Sequence, residues 1–247
     1  REIQKAILNA YSLDFAKHAP PELIMKINLV WGSIPNQLAK ENKMRACLFN
    51  LIVFNRYSAR TDYIRNIVQK VIEKFPCRLL FISEDPEAKE GYLKTAVSVI
   101  IPQNGESSIA CDHIDIGVGA GEIERAPYVL LPHILPDLPT ILLWAEDPSK
   151  EHPLFLPLTS LAHRVIFDSE ASDNLLAFSQ AVLRLKASST FDVADLNWAR
   201  TEGWRDLICS LFRSPERLSQ LQALNNLQIV YNEHPTEFFC HLKIQSM

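Results

Sequence analysis

Residues 46–83 constrain the fold of this chain more than any other stretch. ACLFNLIVFN (46–55) is an unbroken apolar run, and CRLLFIS (77–83) is a second. Short apolar runs without polar alternation are the pattern of strands covered on both faces, as parallel sheets require. Between them Ile64, Ile67, Val68, Val71, Ile72 and Phe75 recur at helical spacing. Thr61 is a candidate N-cap for that helix and Pro76 its stop. Strand, helix and strand within about forty residues predict a βαβ unit with a parallel pair, hence an α/β fold.

Segments 93–101 and 108–118, separated by the turn signal QNGE, predict an antiparallel hairpin, which makes the sheet mixed. Segment 122–135 reads as a helix bent at Pro127 and Pro132. The run LPHILPDLPTILLWAED (131–147) then packs prolines against an almost charge-free stretch. Proline can neither continue a helix nor donate to a central ladder. Pro136 and Pro139 therefore bracket a turn around Asp137 before a strand at 140–144. That is a rigid helix-to-strand junction, architecture more than contact surface.

Residues 145–153 are polar and hold two prolines. They are the candidate boundary between two α/β subdomains, 1–148 (helical start, βαβ unit, hairpin) and 149–247. The second half reads as a short helix at 154–162, a strand at 164–167 and helices at 173–186 and 201–212. Ser214–Pro215 opens another helix, proline being favoured at its first position. Two strands at 228–231 and 238–243 close the chain. A helix at 3–16 opens it.

Charge excludes some partners. Residues 1–125 hold 16 basic and 15 acidic side chains, and residues 126–247 hold 9 and 14. No dense Lys/Arg stripe is present, so nucleic acid is not an expected partner. An acidic surface is repelled by anionic lipid, and no apolar run reaches the ~18 residues of a spanning helix. The five cysteines, 47, 77, 111, 209 and 240, form no CxxC. They read as reduced, mostly buried thiols of a soluble cytoplasmic protein.

Three of the seven glycines, Gly117, Gly119 and Gly121, lie where a dinucleotide-binding loop would sit. The spacing is GxGxG instead of GxGxxG. Glu122 and Glu124 open the next helix, where they would repel a pyrophosphate. A tight turn with positive φ is the expected role of these glycines. A sugar-phosphate- or nucleotide-binding enzyme using this loop is the alternative function. Cys111, His113 and Asp115 share one strand face, but no fourth ligand is evident, so no metal is expected. His133 sits among apolar residues and reads as a core histidine. GxSxG, HExxH, GxxxxGK[ST] and SxxK are all absent, so no catalytic residue and no cofactor are assigned.

The densest polar–aromatic cluster is Asp195, Asn197, Trp198, Arg200, Trp204 and Arg205. Tryptophan and arginine are the types enriched at interface hot spots, which suggests a contact surface. The other reading has Asp195 or Asn197 capping a turn while the tryptophans fill the core.

Several segments occur together in a set order: Arg45-Ala46 with Asn50-Leu51-Ile52-Val53, Cys77-Arg78, LPDLPTILLW, Arg164 with Phe167-Asp168-Ser169, and DLNWAR followed by Trp204-Arg205-Asp206. From about residue 45 to 213 the chain resembles the glucose-6-phosphate dehydrogenase assembly protein family, OpcA. The resemblance implies a non-enzymatic cytoplasmic partner that activates or helps assemble glucose-6-phosphate dehydrogenase. That enzyme opens the oxidative pentose phosphate pathway. The resemblance assigns no catalytic residue. The cysteine-based redox response of some members is not carried over, since this chain has no close cysteine pair in sequence.

Overall fold

A computed structural model describes residues 44–45, 47–100, 109–226 and 228. Its strands are β1 (Met44–Arg45), β2 (Asn50–Arg56), β3 (Arg78–Asp85), β4 (Leu93–Ile100), β5 (Ile109–Gly119), β6 (Thr140–Trp144), β7 (Arg164–Phe167) and β8 (Asp192–Asp195). They form one sheet in the order β1-β5-β3-β2-β6-β7-β8, with β4 paired to β5. Every pairing is parallel except β4 with β5. Outward from β2 the chain winds one way through β3 and β5, and the other way through β6, β7 and β8. This is a doubly wound α/β topology with its switch point between β2 and β6.

The helix α1 (Thr61–Lys74) connects β2 to β3 and buries Ile64, Val68 and Ile72 against Leu51, Val53, Leu79 and Phe81. The opposite face carries Ile52, Phe54, Leu80, Ile82, Leu142, Trp144, Val165 and Phe167. These pack on α2 (Ala126–Leu130), α3 (Phe155–Leu161) and α4 (Leu175–Ser188). Successive residues of β2 and β3 are buried on alternate faces, the two-sided cover their unbroken apolar runs imply.

The structure adjusts several boundaries. β2 begins at Asn50, not at 46. Thr61 is not the cap: it is the first residue of α1, behind Arg60 at the cap position. Its Oγ1 instead accepts from Ser58 N (3.0 Å) and Asn55 Nδ2 (2.8 Å), closing the β2–α1 loop. The helix expected at 122–135 is divided into a 3₁₀ turn (Ala120–Arg125), α2 and a second 3₁₀ turn (Leu131–His133). Each proline lacks the N–H that a continuous helix would need. β6 and β7 lie on either side of the expected boundary at 148/149 and are parallel neighbours, so sheet hydrogen bonding crosses that point. The helix at 3–16, the QNGE turn and the strands at 228–231 and 238–243 fall outside the described residues, residue 228 apart.

The PDLP turn is tied to the sheet by one side chain. Asn50, fully buried at the start of β2, accepts from Leu135 N and donates to Leu135 O, both at 2.9 Å.

Candidate functional site

The polar–aromatic cluster stands at the carboxyl end of β8. Asp195 caps α5 (Leu196–Arg200), its Oδ2 accepting from Trp198 N at 2.8 Å. The same carboxylate accepts from Ser169 N and Oγ at 2.8 and 3.0 Å, and burial raises its pKa. Asn197 is buried and donates to Asp168 Oδ1 and Ser169 Oγ, both at 2.9 Å. Asp168 is fully buried and meets Arg60 at 2.6 Å. Arg200 bonds Glu170 at 3.0 Å and Tyr63 Oη at 3.1 Å. Burial and the neighbouring Asp168 push Glu170 up to about 7, against the opposing pull of Arg200 and Arg60. Tyr63 is pushed up to about 12 by burial and by the same two carboxylates. This network fixes the base of α5 to the ends of β7 and β8 and to α1.

The other side of the cluster faces outward. Trp198 is 62% exposed and Trp204 65%. The Arg205 guanidinium lies 3.7 Å from the Trp198 ring centroid and donates to Thr201 Oγ1 at 2.6 Å and to Trp198 O. In α6 (Glu202–Leu211), Trp204, Leu207, Ile208 and Leu211 recur at i, i+3, i+4 and i+7, the spacing of a buried stripe. Here that stripe is exposed. Leu218 and Leu221 of α7 (Pro215–Gln222) and Leu224 beyond it are exposed too, and neither helix has a buried residue. Scattered surface leucines are ordinary, whereas the exposed apolar residues of α6 recur along one helix face.

The six residues singled out in the sequence thus divide by role. Asp195, Asn197 and Arg200 hold α5 in place; Trp198, Trp204 and Arg205 present a face. The reading in which the tryptophans fill the core is overturned by their exposure. Arg60, Tyr63 and Glu170 belong to the supporting network but are lone polar residues with no local pattern to flag them, and Asp168, also in the network, stood out in the sequence only as part of the Phe167-Asp168-Ser169 segment. Helical spacing revealed the apolar stripe of α6, but spacing cannot say whether a stripe is covered.

The glycine segment does not form the expected positive-φ turn. Gly117 and Gly119 are strand residues of β5, and among the described glycines only Gly91 has positive φ (78°). Their role is space: a Cβ on Gly117 would lie 2.9 Å from Tyr92 Oη. A 3₁₀ turn follows instead of an α-helix N-terminus. The crevice at the switch point is filled by the protein's own groups. Phe54 and Trp144 stack at 4.3 Å, with His152 4.6 Å from Phe54. His152 Nδ1 accepts from Leu154 N, so Nε2 carries the proton that meets Glu84 at 3.1 Å. Glu84 also accepts from Arg56 Nε, and the His152 bond leads the effects that lower its pKa.

His113 lies 3.0 Å from Asp115, and no group of three ligating side chains among the described residues is placed to hold a metal. His133 is buried, as its apolar setting implies. Cys77 and Cys111 are buried, with Cys77 pushed up to about 12 by burial, and Cys47 is half-buried. Cys209 departs from the expected burial: it is exposed on α6, a helix with no buried residue. Cys240 lies outside the described residues. No helix is long and apolar enough to cross a membrane, among the described residues.

Residues 68–184 match the family model of the glucose-6-phosphate dehydrogenase subunit N-terminal domain, OpcA. The chain is 29% identical over 174 residues to a Synechocystis sp. protein named as the OxPP cycle protein OpcA, covering 68% of this chain and 35% of that protein. It is 28% identical over 174 residues to the Nostoc punctiforme protein of the same name, covering 68% and 36%. The chain therefore spans about a third of the length of the curated relatives it matches.

Proposed function

On its similarity to OpcA proteins, we propose that the chain is a member of that family and a non-catalytic cytoplasmic partner of glucose-6-phosphate dehydrogenase that activates the enzyme or favours its assembly. The observation that carries this reading is the uncovered face of Trp198, Trp204, Leu207 and Leu211 on α5 and α6. Interfaces draw their affinity from a few aromatic and arginine anchors on a rigid base. Trp198 with Arg205 is such a pair, and the Asp195–Ser169 and Arg200–Glu170 bonds make its base rigid. On this proposal Asp195, Asn197 and Arg200 position the anchors, and Trp198, Trp204 and Arg205 touch the enzyme.

The test is direct. The two purified proteins are mixed at micromolar concentrations, chromatographed together, and initial dehydrogenase rates are measured with and without this chain. The expected result is a stable complex and an altered rate. Separate elution with unchanged rates rejects the proposal.

A further inference from the structure

α6 and α7 share a placement of charge around their exposed apolar residues. Each helical residue turns the side chain by about 100°. In α6 this groups Trp204, Leu207, Ile208 and Leu211 on one side, sets Arg205 beside them, and puts Glu202 and Asp206 at the back. In α7 the same rotation groups Leu218 and Leu221, sets Arg217 beside them and puts Glu216 at the back. In both helices a cation flanks the apolar residues, and the carboxylates point away from them.

The two arginines are not neutralised by their surroundings. Arg205 lies 3.7 Å from the Trp198 ring centroid and uses one terminal nitrogen, Nη1, on Thr201 Oγ1 (2.6 Å) and Trp198 O. Arg217 donates from Nη1 to Leu211 O at 3.1 Å, which ties the start of α7 to the end of α6. All of these acceptors are neutral. Among the described residues no carboxylate pairs with either guanidinium, and Nε and Nη2 of both have no acceptor. Arg200 of the neighbouring α5 differs, being committed to Glu170 at 3.0 Å.

We propose that this face receives an acidic amphipathic helix of a partner protein, with an apolar stripe and carboxylates along the edge of that stripe. On the reading of this face as the dehydrogenase dock, on which this proposal rests, the helix belongs to that enzyme. Side chains at i, i+3, i+4 and i+7 form ridges and grooves that the ridges of a second helix fill. An extended peptide would need an open strand edge, which helices do not offer. Arg205 and Arg217 meet the carboxylates through their remaining Nε and Nη2 donors, in charge-assisted bonds. A basic helix would set its own cations against both arginines. The charge placement also argues against a lipid surface. Interfacial helices carry lysine and arginine across their polar face, whereas Glu202, Asp206 and Glu216 occupy it here and are repelled by anionic lipid.

Fluorescence anisotropy on the full chain tests the proposal with two labelled helical peptides of about five turns each. They share one leucine stripe; the first carries glutamate at every flanking position and the second lysine. The expected result is saturable binding of the glutamate peptide, about tenfold or more tighter than of the lysine peptide and weakened by salt. The glutamate peptide also displaces the dehydrogenase. Arg205→Glu combined with Arg217→Glu reverses the preference, which loss of the Trp198 contact alone does not do. Failure of both peptides to bind, equal binding of the two, or a preference that survives the double reversal overturns the proposal. So does capture by phosphatidylserine vesicles, or self-association dispersed by Trp204→Ala, with the peptides unbound. Dehydrogenase binding that neither peptide displaces overturns the helix and keeps the dock. Glutamate-peptide binding without dehydrogenase binding supports the helix and rejects the enzyme as its source.

Discussion

The Arg205 guanidinium lies 3.7 Å from the centroid of the exposed Trp198 ring, and Arg205 also donates to the Trp198 carbonyl. One residue from α6 thereby fixes the orientation of a ring on α5. The two main-chain segments are joined at Thr201, whose hydroxyl accepts from Arg205 and donates to Asn197 O. An exposed tryptophan would ordinarily sample several rotamers. Here a cation held over its face restricts them before any partner arrives, which lowers the ordering cost of association.

Trp198→Ala and Trp204→Ala are accordingly expected to separate folding from association. Both side chains are exposed, so the thermal midpoint should stay within the range of ordinary surface substitutions, about 0.5 kcal/mol. Affinity for glucose-6-phosphate dehydrogenase should fall by at least tenfold for each, about 1.4 kcal/mol or more. Biolayer interferometry beside a thermal melt checks both. Loss of stability without loss of affinity would assign the tryptophans to the fold.

Asp168 should behave in the opposite way. It is fully buried, meets Arg60 at 2.6 Å and accepts from Asn197 at 2.9 Å. Its replacement by Ala leaves the partly buried Arg60 guanidinium without its carboxylate and the buried Asn197 amide with Ser169 Oγ as its remaining acceptor. Breaking such a pair from one side costs roughly 3–5 kcal/mol, so Asp168→Ala should lower the urea midpoint strongly. Because Asn197 also anchors α5, partner affinity should fall with it. An unchanged midpoint would show that Arg60 finds another acceptor.

The sheet was legible because its signals are local. The apolar runs at β2 and β3, the helical spacing of α1 and the Thr140–Trp144 and Arg164–Phe167 strands depend on neighbouring residues alone. β8, DVAD, was not legible: it is an edge strand of the parallel series, only partly buried, with no apolar run to announce it. The glycines of β5 were misread for a related reason. Their purpose is to admit Tyr92, a contact between strands that residue spacing cannot express. The candidate site was half legible. Residue type marked Trp198, Trp204 and Arg205. The Arg60–Asp168 and Arg200–Glu170 pairs join residues far apart in the chain and exist only in the folded protein.

Acid should destabilise the protein through His133. Burial first, and Arg78 second, push its pKa down to about 4 from an ordinary 6.5. Between pH 6.5 and about 4 the unfolded chain takes up a proton that the native chain refuses. Stability present above pH 6.5 is therefore lost as pH falls through that window, by at most about 3 kcal/mol. Glu170 works against this. Its pKa is raised to about 7, so the native chain keeps a proton the unfolded chain has released, and stability falls as pH rises from 4.5 toward 7. Denaturant midpoints from pH 4 to 8 for the parent, His133→Phe and Glu170→Gln resolve the two. The first variant should flatten the acid loss, and the second should steepen it. Parallel curves for all three would reject both assignments.

Asn50 joins the proline-rich turn to the first central strand, and its loss should unfasten that junction. Its amide accepts from Leu135 N and donates to Leu135 O at 2.9 Å, with weaker approaches to Leu138 O and Thr140 Oγ1 at 3.4 Å. Pro136 and Pro139 bring no N–H of their own, so the turn has few backbone donors with which to hold itself. Asn50→Ala removes both sides of the Leu135 pairing in a fully buried setting. Leu135 O keeps the Leu138 N–H at 3.2 Å, so the group left without a partner is Leu135 N, which predicts a loss of about 1–3 kcal/mol. Asn50→Asp keeps the acceptor for Leu135 N but turns a donor toward Leu135 O into a charge, and should be at least as damaging near neutral pH. Amide hydrogen exchange localises the effect: Leu135 and Leu138 should lose protection first, while α1 keeps its own. Uniform loss across the sheet would mean that Asn50 supports the whole core, not the turn.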